Sequence, residues 1–466
     1  MNDANGSRQA HADPALHELT ALEQARRIRE GALRSEELVA HYLERIARLD
    51  GGLSAFVAHW PERALTEARK KDRERGRRPL PPFHGVPIAV KDTHALRGAR
   101  MGLGSRAFSW LYSPIDDVTV RTLRRAGFVL VGKTATSELA LLPIVEPATH
   151  PPTRNPWDAT RSAGGSSGGA GAAVAARLLP LAPGSDGAGS IRIPASFGGL
   201  VGHKPSRGLV PNPHDHTDRL RMTVIGPIAR DVDDAAALLD VLVSRGDAPT
   251  HGFLELARRG VPPMTVGVMT RAPLGETGAE EAAAVEEAAR EAEALGHRLV
   301  RLEAPTATLD EFVPIYQRLL AAVPVPLPLE SRLEPLTRWF RAEGRKLDDA
   351  TVRRLFDALV ARALRAFEGV DVALLPTVPV APPKVGLLRG LSPEEGFRAV
   401  SPLGACTAAF NLSGAPALTL PWRLSALGLP LGVQLVGRLG EDARVLAFAR
   451  ALEARRAAPP GQPPVG

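Results

Sequence analysis

The stretch that decides the fold is AGGSSGGAGAAVAARLLPLAPGSDGAGSIRIPAS, at residues 163–196. Within it, glycines and serines alternate with apolar residues such as Val174, Leu178 and Leu181. A flexible Gly/Ser linker is solvated and does not bury leucines. Glycines at this density instead suit a backbone that must adopt unusual dihedral angles and approach another group closely. We therefore predict that this run is buried and forms part of a functional site.

Outward from this run, segments with helical and strand periodicity alternate along the chain. Two helices are predicted between Pro14 and Ala47, and the Pro-rich stretch at 321–330 is interpreted as a rigid loop. Further helices are predicted at 117–126, 231–242, 276–296 and 348–367, and strands at 81–92, 128–131, 265–269, 371–378, 416–421 and 430–437. This alternation is typical of an α/β fold with a parallel or mixed sheet.

The composition is that of an ordinary globular protein. Of 466 residues, 44% are hydrophobic and 23% are charged, with a net charge of +7 and one cysteine, Cys406. These values exclude a disulfide framework, and no apolar run is long enough to span a membrane. The arginines are mixed with acidic residues, a pattern of solvated helix faces rather than of a nucleic-acid surface. We expect a cytoplasmic monomer or homodimer that acts on a small molecule and binds neither membranes nor nucleic acids.

The chain offers no clear point of division between residues 80 and 440. We predict a single domain at 15–456, with N-terminal helices at 15–60, a core at about 80–245 and a variable helical insertion at about 300–368. The first 14 residues and the Pro/Gly-rich tail at 457–466 are predicted to be disordered.

Three short motifs admit other interpretations. Residues 127–134, GFVLVGKT, fit the P-loop pattern, but apolar strand formers stand where a phosphate loop is needed, so we interpret the match as accidental. Residues 164–168, GGSSG, fit the nucleophile elbow of α/β-hydrolases, so a Ser-His-Asp esterase with Ser166 as the elbow serine stays an alternative. Residues 214–218, HDHTD, lack a distant third metal ligand and are interpreted as a polar surface loop.

Four motifs stand together in an informative order. They are VKD at 90–92, NPW at 155–157, GGSSGG at 164–169 and SDGAGSIRIP at 185–194. In order and spacing they resemble the amidase signature family. The resemblance implies that family's α/β fold, in which helices cover both faces of a large central mixed and twisted β-sheet. It also implies a hydrolase that needs no metal or other cofactor.

The resemblance further implies a Ser-Ser-Lys triad. By position, Ser190 is the nucleophile, Ser166 is the bridging serine after a cis peptide bond to Gly165, and Lys91 is the base. The oxyanion hole would consist of the backbone N–H groups of Gly187, Ala188, Gly189 and Ser190. A supporting polar network is expected from Ser167, Asp186 and Arg192. Many members have glycine where this chain has Ala188, and the added methyl group is expected to change the shape of the pocket more than the chemistry.

The proposed base has to be uncharged to accept a proton from a serine. Lowering the pKa of a lysine from about 10.4 to near 7 requires roughly 4 to 5 kcal/mol, which burial can supply. The apolar residues 86–90 would bury Lys91, and Asp92 is expected to point away from it. Of the seven lysines, Lys91 is the one that we expect to be buried and neutral.

The activity implied is an amidohydrolase that cleaves C–N bonds of amides or carbamates through a seryl acyl-enzyme. The family includes bacterial urethane-cleaving members, so urethanase activity is expected by resemblance. A glutamine-dependent transamidation subunit is the alternative within the family, and a catalytically silent binding protein and an ATP-using ligase are the alternatives outside it. Substrate contacts are expected from an apolar acyl or aryl pocket with the following residues: Gly165, Leu141, Leu142, Tyr316, Leu320 and Thr377.

Overall fold

The computed structural model describes residues 15–76, 79–243, 249–273, 275–305, 307–456 and 461–464. The predicted disordered segment at 1–14 lies outside the described residues, as does the tail at 457–466 apart from residues 461–464.

Thirteen strands occur in the described part of the chain. They are β1 Phe56–His59, β2 Pro87–Lys91, β3 Val129–Thr134, β4 Arg154–Asn155, β5 Asp158–Ser162, β6 Leu181–Asp186, β7 Val201–Lys204, β8 Val224–Ala229, β9 Thr265–Val268, β10 Arg298–Arg301, β11 Val372–Pro376, β12 Ala417–Leu424 and β13 Pro430–Gly437.

The same residues contain sixteen α-helices and two short 3₁₀ helices. The α-helices are α1 Ala21–Glu30, α2 Ser35–Leu53, α3 Pro61–Glu74, α4 Val118–Arg125, α5 Gly168–Ala175, α6 Arg192–Gly198, α7 Val232–Leu242, α8 Phe253–Arg259, α9 Ala279–Ala294, α10 Leu309–Ala322, α11 Leu327–Glu330, α12 Pro335–Arg345, α13 Asp349–Ala366, α14 Pro393–Val400, α15 Ala408–Ser413 and α16 Asp442–Glu453. The 3₁₀ helices are Glu138–Ala140 and Ser401–Gly404.

Eight strands form the main sheet, in the order β10-β9-β11-β13-β12-β7-β8-β6. Strand β9 pairs in parallel with both β10 and β11, and the other neighbouring strands pair antiparallel. The predicted large mixed sheet is therefore confirmed.

Helices cover both faces of this sheet, as alternate side chains of β11 show. Val372 and Leu374 join a hydrophobic cluster that includes residues of α7, α9 and α16. Ala373 and Leu375 belong to a different cluster that contains Phe410 of α15. Because successive strand residues point to opposite faces, the two clusters lie on opposite sides of the sheet.

A second sheet brings the N-terminal part of the chain to the main sheet. Its three strands lie in the order β1-β3-β2, with β2 and β3 parallel. Strand β2 packs beside β6, the last strand of the main sheet, and helix α5 packs against both. The C-terminal ends of β2 and β6 carry Lys91 and Asp186, so this packing assembles the site described below.

Most predicted elements are present, and the exceptions are informative. The two N-terminal helices are confirmed as α1 and α2, and the strand predicted at 430–437 is β13. Residues 129–134 of the P-loop match form strand β3, so they cannot cradle a phosphate. The loop predicted at 321–330 is wrong in part, because the helix α11 occupies Leu327–Glu330. Among the described helices, none has the length and apolar character needed to cross a membrane.

Candidate active site

Strand β2 places Lys91 inside the protein. All five of its residues are buried, and Lys91 itself is 0% exposed. The strand is built from Pro, Ile, Ala and Val, which suit a fully buried strand between two layers. The charged end of an apolar strand is thereby carried into the interior.

The amino group of Lys91 meets three serine hydroxyls. Its Nζ lies 2.7 Å from Ser166 Oγ, 3.0 Å from Ser167 Oγ and 2.8 Å from Ser185 Oγ. The first two serines were predicted to belong to the site. Ser185 was missed as a lysine partner, although it stands within the SDGAGS motif.

Burial is the main influence on the protonation of this lysine. It lowers the pKa of Lys91 to about 7, while the negative charge of Asp186 acts in the opposite direction. The neighbouring Asp92 does not face Lys91, since its Oδ1 pairs with Lys133 Nζ at 2.7 Å. Both expectations, a lysine with a strongly lowered pKa and an Asp92 that points away, are confirmed.

The two serine-bearing loops start helices and touch each other. The peptide bond between Gly165 and Ser166 is cis, as expected. A Cβ atom at position 165 would lie 2.7 Å from the backbone nitrogen of Ile144, so a side chain there would collide with the main chain. The backbone N–H of Ser167, just before α5, donates to the carbonyl of Ser190, just before α6, at 3.2 Å. This bond ties the two loops together.

A buried ion pair holds the second loop. Arg192 donates from Nε to Asp186 Oδ2 at 2.9 Å and from Nη2 to Asp186 Oδ1 at 3.0 Å. Burial by itself would raise the pKa of Asp186. The charge and hydrogen bonds of Arg192 outweigh this effect and lower the pKa to about 2. Asp186 and Arg192 of the predicted network are bonded to each other, whereas the Ser167 hydroxyl bonds Lys91 and the backbone of Ser185.

The network also includes three residues that sequence reasoning did not assign to it. Arg192 donates to Asn411 Oδ1 at 2.6 Å, to Gln434 Oε1 at 2.7 Å and to the carbonyl of Thr407 at 3.0 Å. Gln434 lies in the otherwise apolar strand β13, and that contrast was the available signal. No comparable signal marked Asn411 or Thr407.

The predicted oxyanion hole needs one correction. The N–H of Gly189 donates to Asp186 Oδ1 at 2.6 Å, so it is already engaged by a carboxylate. The N–H groups of Gly187, Ala188 and Ser190 find no acceptor within the described residues. Ala188 keeps a negative φ, and its carbonyl accepts from Thr407 Oγ1 at 2.6 Å. Three of the four predicted donors are therefore free to bind a carbonyl oxygen.

Two cavities meet at this site. The larger has a volume of about 540 Å³ and is lined by Ser166, Ser185 and Gly187 together with mainly apolar side chains. The smaller, of about 50 Å³, is lined by Ser190 and Ala188. Leu141 and Tyr316 line both cavities and so separate them, and Leu320 lines the larger one.

Three of the six residues predicted to contact substrate therefore line a cavity, and three do not. Gly165, Leu142 and Thr377 line neither of the two cavities. Leu142 packs in a hydrophobic cluster with Ile144 and Phe397, and Thr377 is fully buried, with its N–H bonded to the carbonyl of Gly432. An apolar sequence pattern could not distinguish these core positions from cavity walls.

The loop at 214–218 is also placed differently from the prediction. His214, His216, Thr217 and Asp218 line the larger cavity, and Asp218 is buried. The interpretation as a polar surface loop is wrong in part, because His216 is exposed but the loop also forms one wall of the site. Within the described residues, no cluster of His, Cys, Asp and Glu has the size of a metal site.

A Ser-His-Asp arrangement is not assembled around Ser166. The hydroxyl of Ser166 is bonded to Lys91, and no described histidine donates to it or accepts from it. His94 and Asp117 do form a pair at 2.9 Å, but His94 is fully buried and does not line either cavity. The segment before Ser166 ends in β5 of an exposed two-stranded hairpin rather than in a strand of the main sheet.

Comparisons with known proteins find similarity over nearly the whole chain. The Amidase family model matches residues 37–325 and 329–446. A candidate amidase of Synechocystis sp. is 34% identical over 448 residues, covering 93% of this chain and 88% of that protein. A glutamyl-tRNA(Gln) amidotransferase subunit of Moorella thermoacetica is 33% identical over 94% of this chain and 96% of its own length. The structure of 6-aminohexanoate cyclic dimer hydrolase with substrate aligns with a TM-score of 0.85 and 30% identity, over 97% of this chain and all of that one.

Proposed function

The chain belongs to the amidase family and is a hydrolase of amides, and from this premise we propose that it cleaves C–N bonds of small amides and carbamates through a seryl acyl-enzyme. Ser190 is the proposed nucleophile, and Ser166 and Lys91 are the proposed proton relay. The observation that carries the proposal is a buried Lys91 with a pKa of about 7, hydrogen-bonded at 2.7 Å to a serine that opens onto a cavity.

The proposed mechanism begins with proton transfer. Neutral Lys91 takes the hydroxyl proton of Ser166, and Ser166 takes that of Ser190 as Ser190 Oγ bonds to the carbonyl carbon of the substrate. The C–N bond then breaks, and the proton returns along the same path to the leaving nitrogen. A water molecule, deprotonated by the same relay, attacks the acyl-enzyme and releases the acid.

Free backbone donors support the charged intermediate in this proposal. As the carbonyl carbon becomes tetrahedral, its oxygen acquires negative charge that the N–H groups of Gly187, Ala188 and Ser190 would stabilise. The donor at Gly189 would instead keep Asp186 in place. Because Asp186 also binds Arg192, the loop that carries these donors is held rigidly.

The form of the cavities favours small, largely apolar substrates. The walls of the larger cavity are mostly aliphatic and aromatic, which fits an alkyl or aryl group beside the scissile bond. The same attack on an O–CO–N carbonyl would cleave a carbamate, so urethanase activity is part of the proposal. The resemblance of the sequence to urethane-cleaving members of the family supports this part of the proposal.

A transamidation subunit is the second candidate, since glutamyl-tRNA(Gln) amidotransferase subunits are 32% and 33% identical to this chain. Glutamine carries a carboxylate that needs a cationic partner in a binding site. The described lining of the larger cavity contains neither arginine nor lysine. This favours the stand-alone hydrolase.

A substrate panel with the Ser190→Ala variant tests the proposal. Amides, carbamates and esters with leaving groups of graded size would be assayed for release of amine or alcohol. We expect the variant to lose about 10³-fold or more in kcat for every substrate that the wild type cleaves. Ser196→Ala, a buried serine of α6 that lines neither cavity, is the matched control and keeps wild-type rates. Full activity in Ser190→Ala would overturn the assignment of the nucleophile.

A further inference from the structure

We propose that the larger cavity contains a site for a primary ammonium group of the substrate, with the carboxylate of Asp218 as its partner. This inference rests on the proposed function and adds a substrate class to it, namely aliphatic amides or carbamates that carry an amino group. It comes from the loop at 214–218, which none of the proposed catalytic steps uses.

Asp218 is a buried carboxylate with one unused oxygen. The residue is 7% exposed and lines the larger cavity. Its Oδ2 accepts from the N–H of Thr223 at 2.7 Å, whereas its buried Oδ1 has no hydrogen-bond partner. Within the described residues, no lysine, arginine or histidine forms an ion pair with it within 4 Å, and Arg207 interacts with its charge only at longer range. A buried carboxylate oxygen without a partner is costly, so a ligand that donates to it would be bound favourably.

A second carboxylate in the lining of the same cavity, that of Asp117, has hydrogen-bond partners for both of its oxygens. Asp117 Oδ2 accepts from His94 and from the N–H of Ala95, and its Oδ1 accepts from the N–H of Val120. Both oxygens of Asp117 are therefore committed to the protein, and Oδ1 caps helix α4. Asp218 differs because only one of its oxygens has a structural role.

Two further residues of the cavity lining carry buried polar atoms without a hydrogen-bond partner. His214 Nε2 and Thr93 Oγ1 are buried without hydrogen-bond partners, and both residues line the larger cavity. Burial lowers the pKa of His214 to about 4, with a smaller contribution from His94, so this ring is neutral at pH 7 and adds no positive charge. The cavity lining therefore carries two carboxylates, of which Asp117 is fully bonded within the protein and Asp218 is not, and the ring of His214 adds no positive charge.

Apolar residues of the same cavity specify the rest of the ligand. Met101, Leu103, Phe108 and Leu319 line the cavity, and they would pack against an alkyl chain. An ammonium at the end of such a chain supplies three N–H donors and the charge that complements Asp218. A terminal carboxylate would be excluded, because the described lining offers it no cation.

The first experiment compares 6-aminohexanamide with heptanamide, which has a methyl group in place of the ammonium. We expect the ratio of their kcat/KM values to fall by about tenfold to a hundredfold in Asp218→Asn, since a hydrogen bond to a charged group contributes about 1.5 to 3 kcal/mol. The asparagine oxygen can still accept from Thr223. Asp215→Asn is the control, because Asp215 lies on the same loop, pairs with Arg221 and does not line the cavity. An unchanged ratio in Asp218→Asn would overturn the inference.

The second experiment needs no turnover and no variant. Calorimetric titration of the wild type with hexylammonium chloride and with 1-hexanol compares two ligands that differ in the terminal group. Tighter binding of hexylammonium by about tenfold or more is expected, and equal binding would contradict the ammonium site. If the wild type binds hexylammonium preferentially but cleaves no substrate in the panel, the proposed hydrolysis fails while the ammonium site stands.

Discussion

Lys91 and Lys204 are two buried lysines that resemble each other in their place on a strand. Each is the last residue of a strand, β2 and β7 respectively, and each is 0% exposed. Burial lowers the pKa of each to about 7, and the charge of Asp186 acts in the opposite direction on both. The expectation that Lys91 alone would be buried and neutral is therefore wrong, because Lys204 shares both properties.

The partners of the two amino groups differ. Lys91 meets three serine hydroxyls, two of which line the larger cavity, whereas Lys204 Nζ donates to the backbone carbonyl of Pro205 at 2.9 Å. A hydroxyl can give a proton to a neutral amine, but a carbonyl can only accept a hydrogen bond. A lowered pKa thus enables either lysine to act as a base. Of the two, only Lys91 has hydroxyl groups beside it from which it can take a proton.

The largest expected effect separates the two lysines by activity. Lys91→Met should lower kcat/KM by about 10³-fold or more, because it removes the proposed base of the relay. Lys204→Met should leave kcat/KM within about threefold of the wild type, since Lys204 lines neither cavity. Initial rates on the best amide of the panel measure both.

Either of two results would break this distinction. Full activity of Lys91→Met would remove the lysine from the relay. A loss in Lys204→Met as large as that in Lys91→Met would show that partner chemistry is not what distinguishes the two sites. Circular dichroism of each variant checks that the fold is retained.

A second prediction concerns what the lysines share. Between pH 7 and about 10.4 the unfolded chain holds a proton on each lysine that the native state lacks, so the free energy of unfolding rises with pH there. Each lysine contributes a slope of about 1.4 kcal/mol per pH unit. Below pH 7 both states are protonated and the contribution is flat. Replacing either lysine by methionine should reduce the slope by that amount, measured by urea denaturation at pH 7, 8 and 9.

Lys346 provides the control for this experiment, because its side chain is 67% exposed and pairs with Glu343 on the surface. Lys346→Met should keep the wild-type slope. If Lys204→Met also keeps it, Lys204 is charged in the native state and the comparison with Lys91 fails.

The sequence alone predicts the regular parts of this fold better than the crowded ones. Strand β13 coincides with its prediction because alternating apolar residues on a buried strand give a strong local signal. Helix α5 was not predicted, since its mixture of Gly, Ala and Val is buried on every side and shows no apolar stripe. Strand β6 contains Pro183 and Gly184, which disfavour strands locally, and it forms because its partner β8 and the packed helix α5 require it.

The residues of the site also fall into those that the sequence predicts and those that it does not. Lys91, Ser166 and Ser190 could be located because they stand in motifs whose order and spacing are specific. The role of Ser185 and the place of the loop at 214–218 depend on contacts between distant segments. No local pattern encodes such contacts. The contact between Lys91 and Ser185 follows from how β2 and β6 pack together, which only the folded structure defines.

The smallest expected effect tests whether the third hydroxyl matters to the chemistry. Ser185→Ala removes one of the three partners of Lys91, and a hydrogen bond of about 1 kcal/mol corresponds to a loss of about fivefold in kcat/KM. Ser185 is a positioning residue here, so the informative readout is the pH profile, in which kcat/KM rises as Lys91 loses its proton near pH 7. Losing an acceptor disfavours the ammonium form, so the apparent pKa should move down in Ser185→Ala and return in Ser185→Thr. A reduced rate with an unmoved profile would mean that Ser185 supports the fold and not the protonation of Lys91, and the difference between Lys91 and Lys204 would then rest on Ser166 and Ser167.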